Sequence, residues 1–344
     1  MDFSKWAVVG FNDDTGLGRM CQDIQKVLGI GRHLIFPSER MPSKKIQSSR
    51  EFLMEADLQP KTLRQRLDGL QGLICLERLW NDSLIRTAKK LGLKIVCVPM
   101  WEWFRGTDRK WRQVDLFLCP NLKALEVLFS YGFTNAVQVA WPLDIKQLPK
   151  RTIVGPAQTF VHNAGLIDND DRKGTGCVVK AFSKVKGDNL RLILRLQQES
   201  PLAIDDPRID VRIGNLNDPA DLYKEGEAFI QPSRMEGLGF MVLEPVSCGL
   251  PVISTNAKPM CEYITQPQML VRKRLFKKKS FAFKAGSIKH AYLTSPSIAS
   301  LSKVIRWCSL NDLSQISNEN LTFGQATHAP QQLLSDWAEA LARI

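Results

Sequence analysis

Two carboxylates eight positions apart, Glu236 and Glu244, frame the most chemically suggestive string in the chain, which runs from Gln231 to Thr255. Between them stand Gly237, Leu238, Gly239 and Phe240. Ala228–Gln231 reads as a buried strand and the residues from Phe240 as a helix, so the glycines occupy the loop that opens the helix. Glycine lets backbone approach a ligand closely. The amides from Gly237 to Phe240, at a helix start where the dipole favours negative charge, therefore form a seat for a phosphate. A carboxylate one turn into that helix cannot hold the phosphate, but it accepts hydrogen bonds from two vicinal hydroxyls, as on a ribose. Glu244 fits that part. The purely structural alternative is a helix N-terminus with a capping carboxylate beside an unrelated loop.

Trp101, Glu102 and Trp103 follow the apolar run Lys94–Pro99, which places them at the carboxyl edge of a sheet, where open α/β domains bind ligands. Their aromatic rings suit the faces of a sugar, and Glu102 could orient an acceptor hydroxyl or contact a donor sugar; core packing of the two tryptophans is the alternative. Glu77 and Arg78, at the end of the preceding strand, are further rim candidates. Near the N-terminus, Trp6 to Arg19 reads as a strand, a loop bearing Gly16 and Gly18, and a helix start. Cys21 stands where a dinucleotide fingerprint needs its third glycine, and no acid closes a second strand about 20 residues on, which disfavours a nicotinamide site. The four histidines (33, 162, 290 and 328) show no metal-ligand spacing, so no metal is expected.

These residues need a scaffold. Short apolar runs alternate with segments of helical period, the pattern of parallel sheets, so the fold class is α/β. Strands are expected at Trp6–Phe11, His33–Phe36, Leu73–Leu76, Lys94–Pro99, Leu116–Cys119 and Ala136–Val139, then at Thr159–His162, Leu190–Leu194, Val211–Ile213, Ala228–Gln231 and Pro251–Ser254. Helices are expected at Leu17–Val27, Ser83–Leu91 and Lys123–Tyr131, near Gly174, Pro219 and Phe240, from about Ser297, and at Gln331–Ala342. The 344 residues suffice for two domains. Prolines and polar residues between Trp141 and Arg151 mark the linker, giving domains 1–145 and 146–325 and a closing segment 326–344. The eight scattered cysteines, without a Cys-x-x-Cys pair, read as reduced core thiols.

The string from Gln231 to Thr255 resembles the Glu-x7-Glu motif of retaining glycosyltransferases of the GT-B architecture, the group 1 type. The match includes Pro232-Ser233 before the first glutamate, Gly237-Leu-Gly-Phe240 after it, and the exit Cys248-Gly-Leu-Pro-Val252. The resemblance implies two Rossmann-like domains facing across a cleft, with the C-terminal helix crossing back to the first. It gives Glu236 the hydroxyls of the transferred sugar and Glu244 the ribose of the nucleotide. In a second block, from His162 to Gly174, Lys173-Gly174 matches the family's Lys-Gly, whose lysine neutralises the departing diphosphate without a bound metal. The family's arginine is replaced by Leu166. Arg172 and Arg195 are both open as its substitute. Gly16 and Gly18 would reach the donor's phosphates and sugar. The family's histidine near Glu102 is missing here. The implied reaction takes a sugar from a nucleoside-diphosphate donor, a substrate rather than a cofactor, to a hydroxyl of a glycan or a lipid-linked saccharide. A sugar-nucleotide epimerase of the same architecture and a non-catalytic nucleotide- or glycan-binding protein are the rival readings.

Net charge is +12, and eight Lys or Arg residues without an acid fall between 272 and 289, interleaved with Leu275, Phe276, Phe281 and Phe283. That tract suits an anionic membrane surface or a lipid-diphosphate acceptor, with a solvated loop as the alternative. No nucleic-acid module is recognisable, so no nucleic acid is expected as a partner. The start of the sequence lacks a signal-peptide pattern and no window nears 18 uncharged apolar residues, giving a cytoplasmic expectation with peripheral contact at the inner face of a membrane.

Overall fold

The first sheet is built from the apolar runs that the sequence predicts, with one addition. Its strands are β1 (Trp6–Gly10), β2 (Arg32–Ile35), β3 (Glu51–Leu53), β4 (Gly72–Glu77), β5 (Lys94–Pro99), β6 (Leu116–Cys119) and β7 (Ala136–Gln138). All pair in parallel in the order β3-β2-β1-β4-β5-β6-β7. Every residue of β1 and β6 is buried, as in strands covered on both faces. The helices of this half are α1 (Gly16–Leu28), α2 (Pro60–Leu67), α3 (Asp82–Lys90) and α4 (Leu122–Ser130). Thr15, Asn81 and Asn121 cap α1, α3 and α4 by accepting the amides of Gly18, Leu84 and Ala124.

The second sheet repeats the plan. Its strands β8 (Thr159–Gly165), β9 (Arg191–Leu196), β10 (Ile209–Ile213), β11 (Ala228–Gln231), β12 (Val252–Thr255) and β13 (Leu270–Val271) are parallel, in the order β10-β9-β8-β11-β12-β13. Helices α5 (Thr175–Phe182), α6 (Phe240–Cys248), α7 (Ile298–Cys308) and α8 (Ser314–Thr327) accompany it. The helix expected near Pro219 is a single five-residue 3-10 turn, Pro219–Tyr223. Strands β14 (Lys279–Phe283) and β15 (Gly286–Leu293) form a separate antiparallel hairpin within the basic tract.

In both sheets the chain starts at the centre, builds out to one edge and returns to build the other side. The strand order therefore reverses between β1 and β4 and between β8 and β11, the crevice where Rossmann-type sheets bind ligands. The computed structural model describes residues 1–13, 15–37, 44, 49–54, 58–167, 170–199, 202–274, 279–283 and 286–344. Leu275, Phe276, Lys277, Lys278 and Lys284 of the basic tract lie outside them.

Two units emerge, Met1–Asp144 with Thr327–Ile344, and Ile145–Ala326. The last helix, α9 (Pro330–Leu341), thus belongs to the first unit. It buries Leu333, Trp337 and Leu341, and the Trp337 indole donates to the Ala140 carbonyl at 3.0 Å. The Trp141 indole in turn donates to the Asp23 carboxylate on α1 at 3.1 Å. All eight cysteines are free thiols; six are buried, whereas Cys177 and Cys261 are only partly so, a correction to their reading as core residues. Among the described residues no helix is long and apolar enough to cross a membrane.

Candidate active site

The end of β11 and the end of β8 flank the second switch point, and the loops leaving them carry the candidate residues. Ser233 and Glu236 follow β11; Asp171, Arg172 and Lys173 lie between β8 and α5. The two loops meet. Lys173 Nζ stands 2.6 Å from Glu236 Oε1, and the Ser233 hydroxyl donates to the same oxygen at 2.6 Å. Glu236 is buried, with 6% of its surface exposed. Burial pushes its carboxyl up, but the charges of Lys173 and Arg172 and the hydrogen bonds from Lys173 and Ser233 outweigh this and hold it below its ordinary value. Glu236 is therefore ionised at neutral pH. An ammonium has three donors, so Lys173 can hold Glu236 and still point another proton at an anion.

The Lys173 loop is firmly built. Asp171, in the left-handed region at φ 44°, turns its carboxylate onto the amides of Thr175 and Gly176 at 2.8 and 2.9 Å and caps α5. His162, on β8, is fully buried and bridges the Ile230 carbonyl at 2.7 Å and the Thr175 hydroxyl at 3.0 Å. Burial drives its imidazole down to about 4, so the ring is neutral. A carbonyl only accepts; Nδ1 therefore carries the proton, and Nε2 accepts from Thr175. His162 ties β8, β11 and α5 together rather than acting as a base.

Glu244 and the glycine loop lie beside this pair in sequence and share its unit. Gly239, at φ 95°, is the N-cap of α6, which has neither a side-chain cap nor an acid in its first turn. The loop is pinned from behind, where the Tyr263 hydroxyl donates to the Leu238 carbonyl at 2.7 Å. Gly237, Leu238 and Gly239 are buried, and Phe240 half-buried, at this start. Glu244, 1% exposed on the first turns of α6, accepts a short hydrogen bond from the Tyr223 hydroxyl. Neither Ser233 nor Tyr223 has a role in the sequence reading. Ser233 stood within the motif; nothing in the sequence flags Tyr223.

The two arginines left open by the sequence part company. Arg172 neighbours Glu236 closely enough for its charge to lower that carboxyl. Arg195, opposite Asn163 in the β8–β9 register, is engaged by Glu225 at 2.6 Å, a carboxylate it shares with Arg212. Leu166 is largely exposed.

In the first unit, Trp101 is buried beneath the Lys123 ammonium, 5.2 Å from its ring centroid, and Glu102 is buried beside it in sequence. Trp103 is 39% exposed, the most exposed of the three. Glu77, at the end of β4 and so at the first switch point, holds a left-handed backbone at φ 68°, a conformation that costs about 1–3 kcal/mol and clusters at ligand sites. Arg78 lies over the Trp80 ring at 4.3 Å.

Gly16 and Gly18 answer to different constraints. A Cβ on Gly18 would fall 2.3 Å from the Asp13 carbonyl oxygen, so its glycine is required by packing; one on Gly16 would meet nothing within 4 Å. Gly18→Ala is expected to cost about 1–3 kcal/mol in a urea melt, the usual range for overpacking, and Gly16→Ala to stay within about 0.5 kcal/mol. If Gly16 faces a ligand, its alanine variant loses kcat/KM at unchanged stability; an unchanged kcat/KM removes Gly16 from the site.

Comparison with known proteins bears on the fold that carries these residues. A model of the family "Glycosyl transferases group 1" matches residues 211–288, 78 of the 344 residues, a segment that includes Glu236 and Glu244. No curated protein matches the chain in sequence. Among solved structures, a glycosyltransferase from Rickettsia africae is similar over 98% of both chains at 11% identity and a TM-score of 0.68. Anabaena Alr3699/HepE, solved in complex with UDP, is similar over 99% of this chain and 100% of its own at 12% identity and a TM-score of 0.69. The apo form of the lipopolysaccharide outer core galactosyltransferase WaaB covers 98% and 99% at 15% identity and 0.65. The fold is thus that of the GT-B glycosyltransferases, two parallel-sheet α/β domains.

Proposed function

We propose that the protein is a retaining glycosyltransferase that moves a sugar from a nucleoside-diphosphate donor, with UDP as the nucleotide, to a hydroxyl of a glycan or a lipid-linked saccharide. The observation that carries the reading is the Lys173–Glu236 pair, 2.6 Å apart at the β8/β11 switch point, in the unit whose α6 opens on Gly239. Its nearest support from outside is that the similar HepE was solved with UDP and with UDP-glucose.

In this reading the diphosphate lies against the amides from Gly237 to Phe240. Glu244, steadied by Tyr223, accepts from the ribose hydroxyls, and Glu236 accepts from the hydroxyls of the sugar. As the bond from the anomeric carbon to the phosphate oxygen breaks, its electron pair stays on the diphosphate, and Lys173 meets the growing charge. The acceptor oxygen bonds to the same face of that carbon, and its proton passes to the leaving phosphate oxygen. The enzyme supplies orientation and charge rather than a general base. The basic tract, eight cations without an acid, suits an anionic acceptor or membrane surface.

The test is UDP release from a panel of UDP-sugars, with and without a sugar acceptor and with and without EDTA. Slow release that an acceptor accelerates and EDTA leaves unchanged is the expected outcome. Abolition by EDTA would overturn the metal-free mechanism, an epimerised donor without release would select the epimerase, and binding with no turnover of any donor would select a non-catalytic protein.

A further inference from the structure

One side chain joins three segments around the Lys173–Glu236 pair and has no part in the chemistry above. Arg234 lies two residues before Glu236. Its guanidinium Nη1 donates to the Asp170 carbonyl at 2.5 Å and its Nε to the Thr294 carbonyl at 3.0 Å. Its backbone amide donates to the Arg172 carbonyl at 2.8 Å, and its own carbonyl accepts from the Thr294 amide at 2.9 Å and hydroxyl at 2.8 Å. Asp170 and Arg172 belong to the loop that presents Lys173. Thr294 is buried and directly follows β15, so it ends the basic hairpin. The base of that hairpin is itself zipped: the Arg274 amide donates to Ser295 and the Ser297 amide to Arg272, both at 2.8 Å. Gly174 packs so closely under the same loop that a Cβ there would lie 2.6 Å from the Pro232 carbonyl oxygen.

We propose that Arg234 is a positioning residue, which clamps the Lys173 loop and the end of the basic hairpin onto the Glu236 loop and so sets where the lysine ammonium stands. The fork of a guanidinium is what the task needs. Two carbonyls from segments far apart in sequence are held by two different nitrogens of one rigid plane, whereas a lysine head offers one flexible nitrogen and cannot hold both in fixed geometry. Backbone carbonyls are the anchors, so the clamp fixes main chain, and Lys173 inherits its position.

The consequence for catalysis rests on the glycosyltransferase reading; the consequence for Lys173 does not. Two measurements separate them. In the first, Arg234→Lys and Arg234→Met are pulsed with acetic anhydride and the acetylation of Lys173 is read by mass spectrometry against that of exposed Lys180 on α5. The ratio is expected to rise several-fold in both variants, because Lys173 leaves Glu236. In the second, UDP release from UDP-glucose is followed. Turnover per folded enzyme is expected to fall about tenfold, short of the roughly 10²-fold that a misplacement of about 1 Å can cost, with KM within about twofold and the lysine variant failing to rescue. An unchanged labelling ratio, or turnover restored by Arg234→Lys, overturns the proposal, whatever happens to the melting temperature. Should both variants fail to fold, Arg234→Gln, whose shorter amide can keep at most one of the two carbonyls, is expected to raise the same ratio by less, and no rise there overturns the clamp. If the wild-type protein neither releases UDP nor binds it, the reading of the site fails while the labelling still judges Arg234.

Discussion

Lys173→Met is expected to lower turnover by about 10²- to 10³-fold, the usual effect of removing one preorganised donor from a site of developing negative charge, while UDP binding weakens far less. The reason lies in when the lysine matters. In the proposed reaction a bound diphosphate ester already carries charge, but the charge that Lys173 would meet grows as the glycosidic bond breaks, so the loss is expected on kcat more than on KM. Stopped or single-turnover kinetics beside UDP calorimetry check it. Equal turnover would remove Lys173 from the chemistry.

The same variant has a signature in stability. Glu236 is held below its ordinary value in the folded protein. A lowered folded value means that the ion pair stabilises the fold above the ordinary carboxylate range and that this contribution is lost as pH falls through the lowered value. Removing Lys173 takes away the strongest of the influences that oppose burial, so the value moves up. The wild type's stability advantage over Lys173→Met should therefore be largest near neutral pH and shrink as pH falls through the carboxylate range, in urea melts from about pH 3 to pH 7. Melts of identical pH dependence would mean that the pair does not set the Glu236 charge.

Glu244→Gln is the second large effect. If Glu244 accepts from ribose hydroxyls as proposed, its charge-assisted bonds are worth about 1.5–3 kcal/mol, so UDP affinity should fall roughly 10- to 150-fold. Tyr223→Phe keeps the carboxylate and loses only its anchor, and a smaller loss is expected. The amide is nearly isosteric and retains one acceptor, so folding should survive, as thermal melting would show. An unchanged affinity by calorimetry would take the ribose away from Glu244.

The buried strands were legible because parallel strands covered on both faces are continuous apolar runs. Thus Lys94–Pro99, Leu116–Cys119 and Ala228–Gln231 coincide with the structure to the residue. β3 escaped because Glu51–Leu53 is a short edge strand with no fully buried residue. α2 escaped because Pro60–Leu67 buries only Leu63 and Leu67 among polar neighbours. The sequence carries no signal for the hairpin of β14 and β15, since its pairing is set by cross-strand partners rather than by apolar periodicity.

At the candidate site, Glu236, Glu244 and Lys173 stand out in the sequence because glycine loops, helix starts and spaced carboxylates leave a local pattern. Their partners do not. Tyr223 reaches Glu244 from 21 residues away, Arg195 finds Glu225 across 30, and Arg234 finds Asp170 across 64. Contacts of that separation are made by the strand order, which brings β8 beside β11, and no short window of sequence contains them.

The most direct measurement is a crystal structure of the protein grown with UDP. Density for the diphosphate against the backbone between Gly237 and Phe240 and within reach of Lys173 Nζ, with the ribose hydroxyls on Glu244, is the predicted result. UDP bound elsewhere on the chain, or phosphates turned away from Lys173, would contradict the account.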